Sequence, residues 1–299
     1  SVYKSYIDAL LKSNKAYMCF ASKKELDEIR KESNSFHYPG IWRDRDVGDI
    51  NNEIKKGSPF TVRLKTPQDG KTSFEDLIYG NISVKNNEID DFIIARSDGS
   101  PVYNLTNVVD DSLMEITHVI RGEDHVSNTP KQILIYNALG FKVPTFAHLP
   151  MILGEDKKRL SKRHGATGVN EYESMGYQPD ALLNYLVLLG WNPGTDEEIF
   201  DLDSLVKNFD IRKVQKKSAI YDQKKFNWIS SQHLMKEDSE KVLNRLAIID
   251  PEWGESKSQD YLIKVIDLMN PRSNSLIDLI NKSRYFFSRK KELDSIQLQ

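Results

Sequence analysis

A strand–helix–strand pattern in the middle of the chain is the feature that most restricts its fold. An apolar run over 116–121 is followed by Thr129 and Pro130, an N-cap and a first-turn proline, and Gly140 supplies a helix end. A second apolar run covers 146–153. Because a crossover helix joins parallel strands of one sheet, the pattern predicts an α/β fold. In such folds ligands bind beyond the carboxyl ends of the strands.

A short basic loop follows the second apolar run. Residues 157–163 include five Lys or Arg side chains. Such a density of like charge predicts that the loop binds a polyanion. A triphosphate is the obvious small candidate, because Lys and Arg neutralise charge in phosphoryl and adenylyl transfer. The alternative is a solvated basic face or a nonspecific nucleic-acid patch, which composition alone favours.

Polar side chains near the predicted strand ends are the candidate ligand contacts. Arg121 can bind a carboxylate in bidentate fashion, with a structural salt bridge to a nearby acidic side chain as the alternative. Tyr103 and Asn107 offer a hydroxyl and an amide four residues apart, although Tyr103 could equally pack in the core. For His125 and His148 a packed or surface histidine is the default interpretation.

Composition excludes several classes of protein. The chain has 299 residues, 39% of them hydrophobic, which suffices for two or three domains. A net charge of -2 argues against a bulk polycation, so any nucleic acid must meet local basic surfaces. The single cysteine, Cys19, excludes an internal disulfide and a multi-cysteine zinc site. No apolar run approaches the roughly 18 residues of a membrane span, so we expect no membrane contact and a soluble, cytoplasmic protein.

Local patterns outside the centre predict a small α+β module and a helical C-terminal region. Ser22 and Glu25 form a capping-box pattern that begins a helix over about 23–32. Further helices are predicted at 2–13, 181–189, 203–208, 222–232, 239–248, 258–268 and 275–287, and short strands at 60–64, 77–79, 82–84 and 92–95.

Two motifs together resemble those of bacterial-type glutamyl-tRNA synthetase, a class I enzyme. They are the run from Val119 to Pro130, Val-Ile-Arg-Gly-Glu-Asp-His-Val-Ser-Asn-Thr-Pro, and the run from Arg159 to Gly165, Arg-Leu-Ser-Lys-Arg-His-Gly. The second resembles the class signature loop usually written Lys-Met-Ser-Lys-Ser. The stretches 97–105, 107–111 and 221–228 also fit, and the resemblance covers essentially the whole chain.

The resemblance implies an α/β fold: a partial Rossmann-like nucleotide-binding fold with an inserted α+β acceptor-binding domain and a C-terminal α-helical region. The implied boundaries are 1–19 for the end of the first half of the catalytic fold, 20–102 for the inserted domain, 103–157 for the second half of the catalytic fold, 158–239 for the stem-contact fold with the signature loop, and 240–299 for the start of the anticodon-binding domain.

The resemblance also implies roles for individual residues. Tyr103, Asn107 and Arg121 would bind glutamate. Asp124, His125 and the backbone of Met151 and Ile152 would meet ATP. The signature loop Arg159, Leu160, Ser161, Lys162 and Arg163 would include the catalytic residues Arg159, Ser161 and Lys162, with Lys162 on the phosphates and the departing pyrophosphate.

The sequence departs from the family pattern in two places. The first class signature, His-Ile-Gly-His, does not occur in it, so we expect a fragment or a form without that half-site. Cys19, Ala21, Trp42 and Asp44 hold the positions where many relatives have zinc ligands, so zinc is not expected and no metal site is predicted.

The implied activity is that of a glutamate–tRNA ligase, using ATP with Mg²⁺, glutamate and tRNA(Glu), in a monomer. The alternative is a noncatalytic tRNA-binding fragment or paralogue of a synthetase. A synthetase that charges glutamine, or one that modifies a tRNA base with glutamate, is a third hypothesis, disfavoured by the Arg-Gly-Glu-Asp-His run.

Overall fold

A computed structural model describes residues 2–33, 37–160 and 168–287 of the chain. The chain divides into two compact units, with the boundary between Leu149 and Pro150. Each unit has its own hydrophobic core, so each is described separately.

The first unit combines helices and strands. Its helices are α1 (Val2–Lys12), α2 (Lys23–Ser33), α3 (Val47–Lys55), α4 (Tyr103–Leu113) and α5 (Thr129–Leu139), and its strands are β1 (Ala16–Cys19), β2 (Thr61–Leu64), β3 (Lys71–Asp76), β4 (Gly80–Lys85), β5 (Ile93–Ala95), β6 (His118–Gly122) and β7 (Thr145–Leu149).

The strands of this unit form two sheets. One has the order β4-β3-β7-β6 and the other β1-β2-β5. Strands β6 and β7 are parallel, as the strand–helix–strand pattern predicts, and their register pairs Arg121 with His148. Parallel neighbours end at the same edge of a sheet, so this register places two side chains with hydrogen-bonding groups next to each other.

Helices α4 and α5 pack on the core of the first unit. Leu105, Val108 and Val109 of α4 and Ile135 of α5 are fully buried.

The predicted end of α5 is confirmed, with Gly140 in the left-handed conformation at φ 72°, and Pro130 lies in its first turn. The predicted N-cap, Thr129, was wrong: Asn128 is the N-cap and makes no side-chain capping bond, while Thr129 is the first helical residue and its hydroxyl bonds Arg121. The proline and glycine signals therefore located this helix to within one residue.

In this unit one predicted short strand was wrong and one strand was missed. Residues 77–79 form a turn instead of a strand, because the Asp76 carboxylate accepts hydrogen bonds from the amides of Ile78 and Tyr79 at 3.0 and 2.9 Å. The strand at 71–76 was missed, because its exposed positions are polar and only alternate residues are buried.

The predicted continuous strand over 146–153 was also wrong. Strand β7 ends at Leu149, and a separate strand, β8 (Ile152–Leu153), belongs to the second unit. Pro150 separates the two strands, and a proline has no amide hydrogen with which to continue a ladder.

The second unit is mainly helical. The predicted helices are confirmed, but the last one ends at Ser283, after which a short 3-10 turn covers Arg284–Phe286. Its elements after β8 are α6 (Val169–Ser174), α7 (Pro179–Leu188), α8 (Leu202–Asn208), β9 (Ala219–Ile220), α9 (Gln223–Lys236), α10 (Ser239–Ile249), α11 (Gln259–Met269) and α12 (Leu276–Ser283).

Helices α10, α11 and α12 enclose one core of the second unit, around Val242, Leu246, Ile266 and Leu279. Strand β8 pairs in parallel with β9 within the same unit. The finer domain boundaries expected near residues 20, 102, 157 and 239 stay predictions. Within the described residues, every helix is too short or too polar to cross a membrane.

Candidate active site

Arg121 lies near the carboxyl end of β6 and is held by several neutral acceptors. Its Nε donates to Nε2 of His148 at 3.2 Å. Its Nη2 donates to the Thr129 hydroxyl and to Oε1 of Gln132, both at 2.8 Å. Two separate elements therefore fix the plane of the guanidinium group, since β7 supplies His148 and α5 supplies the other two acceptors.

The remaining nitrogen of Arg121 has no partner. Its Nη1 atom is buried and lacks any hydrogen bond. Burial lowers the pKa of Arg121, while the Tyr103 hydroxyl and the Asp111 carboxylate oppose that shift. A guanidinium stays protonated in proteins, so this nitrogen is a charged donor that an anionic ligand could satisfy.

The salt-bridge alternative for Arg121 is not what the structure shows. None of the ion pairs within residues 2–33, 37–160 and 168–287 includes Arg121. Asp110 instead accepts the Tyr3 hydroxyl at 2.9 Å, and Glu123 accepts the Tyr79 hydroxyl at 2.5 Å. The nearby acidic side chains are thus engaged elsewhere, although the Asp111 charge still acts on Arg121 at longer range.

His148 connects Arg121 to a second buried charge. Its Nδ1 lies 2.6 Å from a carboxylate oxygen of Asp76. Both side chains are completely excluded from solvent. The imidazole and the rings of Phe74 and Phe146 form a triangle, with centroid distances of 6.3 and 6.2 Å from the imidazole and 5.7 Å between the two phenylalanines. The row Asp76–His148–Arg121 thus runs from the sheet interior to the candidate site.

The hydrogen bonds of Arg121 determine the tautomer of His148. An arginine Nε always has a hydrogen, so Nε2 of His148 must accept. The proton of the neutral ring therefore lies on Nδ1, which donates it to Asp76. Burial lowers the pKa of His148, although the Asp76 carboxylate opposes the shift, and the charges of Arg121 and His125 reinforce it.

Helix α4 lies beside Arg121. Tyr103, in its first turn, is half exposed, and its ring centroid lies 5.9 Å from that of His125. The Tyr103 hydroxyl lies close enough to Arg121 to raise the pKa of Arg121, against the effect of burial. Asn107 lies one helical turn after Tyr103, so both side chains are on one face of α4. The predicted polar residues Tyr103, His125 and Arg121 are therefore neighbours.

The chain between β6 and α5 makes a tight turn. Residues Glu123–Asn128 form a 3-10 helix, and the side-chain nitrogen Nδ2 of Asn128 lies 3.3 Å from Nδ1 of His125. An added Cβ on Gly122 would lie 2.6 Å from the Asp124 carboxylate. Gly122 therefore permits this close approach of Asp124 to the backbone.

The start of the basic loop belongs to the second unit. After β8 the chain reverses through residues 154–158, and Arg159 bridges back to Leu153. The Leu160 amide donates to the Ile152 carbonyl at 2.9 Å, so the backbone beside Met151 and Ile152 is well ordered by its neighbours. Ser161, Lys162 and Arg163 lie outside the described residues.

Several site neighbours were missed by sequence reasoning. Asp76, Gln132 and Asn104 were not singled out, and His148 was assigned a default packing role. Gln132 also donates to Oδ1 of Asn104 at 3.3 Å, which extends the network to α4. Only the register of β6 against β7 shows that His148 lies beside Arg121. The sequence predicted that the two strands are parallel but did not predict their register.

Three of the residues that the resemblance aligned with zinc-ligand positions, Cys19, Trp42 and Asp44, have contacts within the protein. Sγ of Cys19 lies 3.2 Å from the Tyr38 hydroxyl. The rings of Trp42 and Phe20 lie 5.0 Å apart. Oδ1 of Asp44 lies 3.3 Å from Nζ of Lys65. In the described part of the chain no three His, Cys, Asp or Glu side chains are arranged to hold a metal.

Comparison with known proteins identifies the family. Residues 1–228 match the family of tRNA synthetases class I (E and Q), catalytic domain. Glutamate–tRNA ligase 1 of Caldanaerobacter subterraneus subsp. tengcongensis is 42% identical in an alignment of 306 positions that covers 99% of this chain and 62% of that protein. The Aquifex aeolicus glutamate–tRNA ligase is 43% identical, over 98% of this chain and 63% of that one.

A solved structure agrees with these relatives. The crystal structure of a glutamate tRNA ligase from Elizabethkingia meningosepticum, in complex with its amino acid, superposes with a TM-score of 0.87 at 31% identity and covers 98% of this chain and 64% of that one. The chain spans about three fifths of the length of the curated relatives it matches, 62% and 63%. The chain belongs to the family of class I tRNA synthetases for E and Q, glutamate and glutamine.

Proposed function

We propose that this protein joins glutamate to tRNA(Glu) at the expense of ATP. Glutamate and ATP, which enters as its magnesium complex, are the substrates of the first step, and tRNA(Glu) is the acceptor in the second. A monomer in the cytoplasm is the expected form. Membership of the class I (E and Q) synthetase family and similarity to glutamate–tRNA ligases support this function, and the environment of Arg121 supports the choice of an anionic amino acid.

The observation on which the proposal depends is the unpaired, buried Nη1 of Arg121. Leaving a buried donor unsatisfied is costly, and the cost is largest for charged groups. The other guanidinium nitrogens are already bonded to His148, Thr129 and Gln132. A substrate carboxylate that accepts from Nη1 would remove that cost, and the fixed guanidinium plane would orient the carboxylate.

Helix α4 supplies the remaining contacts that we assign to glutamate. Tyr103 and Asn107 lie on the same side of the helix, and the Tyr103 hydroxyl lies near Arg121. A hydroxyl and an amide can bond the polar groups of an amino acid that the guanidinium does not reach. Glutamine lacks the side-chain charge that Arg121 would meet, so we expect it to bind more weakly.

In the first step, a glutamate α-carboxylate oxygen attacks the α-phosphorus of ATP. A bond from that oxygen to phosphorus forms, the bond to the pyrophosphate oxygen breaks, and the pyrophosphate takes the bonding electrons. We assign Lys162, with Arg159 and Ser161 beside it in the signature loop, to the negative charge that develops on the phosphates. Leu160 and Arg163 complete that loop.

The remaining contacts with ATP are assigned by family position. Asp124 and His125 would meet the nucleotide, and the backbone at Met151 and Ile152 would meet the adenine. In the second step, the 2′-hydroxyl of the terminal adenosine of tRNA attacks the glutamyl carbonyl carbon and AMP departs. Residues 20–102 would hold the acceptor end, 158–239 the stem, and 240–299 would begin the anticodon-binding part.

Glutamate-dependent exchange of pyrophosphate into ATP tests the proposal. The purified 299-residue chain would be assayed with glutamate, glutamine or aspartate as the sole amino acid, with and without total tRNA. Among the three amino acids, we expect only glutamate to support exchange. We also expect glutamyl-tRNA to form when tRNA is added. Retention of tRNA without exchange would instead support the noncatalytic alternative. Exchange with glutamine at an equal rate would contradict the assignment of the substrate.

A further inference from the structure

The buried pair Asp76 and His148 lies behind Arg121, and no reaction step described above uses it. Asp76 is 1% exposed and His148 is fully buried. A carboxylate and an imidazole that are removed from water and serve only packing would destabilise the fold relative to apolar residues of the same size. Their position next to the arginine that we assign to the substrate carboxylate suggests another role.

We propose that Asp76 and His148 are positioning residues that hold the guanidinium of Arg121 in the orientation in which its free Nη1 meets the substrate carboxylate. This inference rests on the proposed function, and it names residues that set the affinity for glutamate without touching it. Asp76 acts through the imidazole, and the imidazole acts through Nε of Arg121.

The first step of the argument is the direction of each hydrogen bond. Nε–H of Arg121 donates to Nε2 of His148 at 3.2 Å, and Nδ1–H of His148 donates to Asp76 at 2.6 Å. Only the neutral ring with its proton on Nδ1 satisfies both bonds. The other tautomer would have a hydrogen on Nε2, which could be donated to the Thr129 hydroxyl at 3.0 Å, but it would leave Nε–H of Arg121 without its acceptor.

The second step is that Asp76 itself cannot rotate freely. Its Oδ1 accepts from the amides of Ile78 and Tyr79 at 3.0 and 2.9 Å, while its Oδ2 faces His148. The turn after β3 therefore fixes which oxygen meets the imidazole. Because the carboxylate can only accept hydrogen bonds, it selects the Nδ1–H tautomer of His148.

The third step concerns what the network leaves free. His148, Thr129 and Gln132 engage Nε and Nη2 of Arg121, and Nη1 has no partner within the described chain. If His148 no longer accepted from Nε, the guanidinium could rotate about its terminal bonds and Nη1 would lose its fixed direction. Part of the binding energy for glutamate would then be lost to ordering the side chain.

Replacement of Asp76 by asparagine gives a sharp test. The two backbone amides require an oxygen at the Oδ1 position, so the amide nitrogen of the new side chain must face Nδ1 of His148. That nitrogen is a donor, and it would force Nδ1 to accept and place the ring proton on Nε2, opposite Arg121. Asp76→Asn changes the shape of the side chain very little, so we expect the variant to fold.

Two measurements test this network: the tautomer of His148 and the affinity for glutamate. Nitrogen-15 NMR of the imidazole in the free protein should show the Nδ1–H tautomer of His148 in the parent chain and the Nε2–H tautomer in Asp76→Asn. Titration with glutamate should show a dissociation constant raised about tenfold or more in the variant. The affinity for ATP, measured in the same way, should stay within about twofold of the parent.

Asp91→Asn is the matched control. Asp91 is also a buried carboxylate of the first unit, 5% exposed, but it bonds Arg43, Thr66 and Tyr17 and has no bond to Arg121. We expect this variant to lose stability without a change in glutamate affinity or in the His148 tautomer. A general loosening of the unit would weaken glutamate binding in both variants, and that result would overturn the positioning role.

His148→Gln and His148→Leu provide a second, independent comparison. A glutamine can present an amide oxygen to Nε of Arg121, whereas leucine offers no acceptor. We expect glutamine to retain more of the glutamate affinity than leucine does, although neither retains the imidazole. Equal losses in the two folded variants would argue that packing alone explains the effect of His148.

The outcomes separate this inference from the proposed function. If the parent chain binds glutamate, and Asp76→Asn binds it equally well although its His148 tautomer has switched, the positioning role is refuted and the proposed function is not. A parent chain with an Nε2–H or a charged His148 refutes the proposed tautomer. A parent chain that binds no glutamate refutes the proposed function and, with it, this role for Asp76 and His148.

Discussion

Nδ1 of His148 lies 2.6 Å from the carboxylate of Asp76, although the two residues are 72 positions apart in the chain. Both are completely buried, and the parallel register of β6 and β7 places His148 directly beside Arg121. A charged residue at the candidate site is therefore oriented by a buried network that begins on a different strand.

The first prediction concerns the pH dependence of stability. Burial, reinforced by Arg121 and His125 and opposed by Asp76, lowers the pKa of His148 below its ordinary value of 6.5. The unfolded chain therefore binds a proton at a higher pH than the folded chain does, and stability falls as the pH falls. The contribution of His148 is complete above pH 6.5 and decreases below it until the pH reaches the lowered pKa of the folded state.

Urea denaturation between pH 5 and 8 would measure this contribution. The free energy of unfolding of His148→Gln should vary less steeply below pH 6.5 than that of the parent chain, because glutamine does not titrate. Comparing the two proteins cancels the other titrating groups, His233 among them. If the free energies of unfolding of the two proteins varied with pH in parallel, the pKa of His148 would be the same in the folded and unfolded states.

The second prediction concerns Arg121→Lys. Lysine keeps the positive charge, but its single nitrogen cannot bond His148, Thr129 and Gln132 and also reach a substrate. The Michaelis constant for glutamate in pyrophosphate exchange should rise by about tenfold or more, and Arg121→Ala should raise it further. The constant for ATP should change little. An unchanged constant for glutamate and an unchanged turnover would remove Arg121 from the binding pocket.

The third prediction concerns the signature loop. Lys162→Ala should slow adenylate formation by roughly 100-fold, because one preorganised contact with the charge of the transition state is lost. Lys158→Ala is the matched control, since Lys158 is an exposed lysine of the same basic loop. We expect the control to keep most of the activity. Equal losses in the two variants would indicate a general charge effect in place of a specific role for Lys162.

The fourth prediction concerns Gly176, which precedes α7. It has φ +75°, and an added Cβ would lie 2.7 Å from the backbone nitrogen of Ile277. Its carbonyl also accepts the Leu276 amide at 2.9 Å. Gly176→Ala should therefore lower the free energy of unfolding of the second unit by about 2 kcal/mol or more, from backbone strain and overlap together.

Gly194→Ala separates the two contributions at Gly176. Gly194 also has a positive φ of 92°, but nothing lies within 4 Å of an added Cβ. Gly194→Ala should lower the free energy of unfolding by only about 1 kcal/mol, because only the left-handed conformation opposes the new side chain. Thermal or urea unfolding would give both values. A loss at Gly176 no larger than that at Gly194 would contradict the predicted overlap with α12.

Local signals in the sequence were enough for most helices. Ser22 accepts the Glu25 amide at 3.1 Å, as half of the predicted capping box requires. Pro130 and Gly140 lie where α5 begins and ends. These features depend on contacts between residues a few positions apart, so they can be identified without knowledge of the fold.

The sequence by itself also determined the family, since two runs with specific spacing, at 119–130 and 159–165, resemble one group of synthetases. It also identified Arg121, Tyr103 and His125, which the structure brings together.

Only the tertiary structure decided which side chains hold Arg121 in place. The hydrogen bond between Asp76 and His148 depends on the packing of β3 against β7, and that of His148 with Arg121 depends on the register of β7 against β6. Shifting a strand by one residue turns every side chain to the opposite face, so these contacts are non-local and no local pattern specifies them. The break at Pro150 has the same origin, because β7 and β8 find their hydrogen-bonding partners in different sheets.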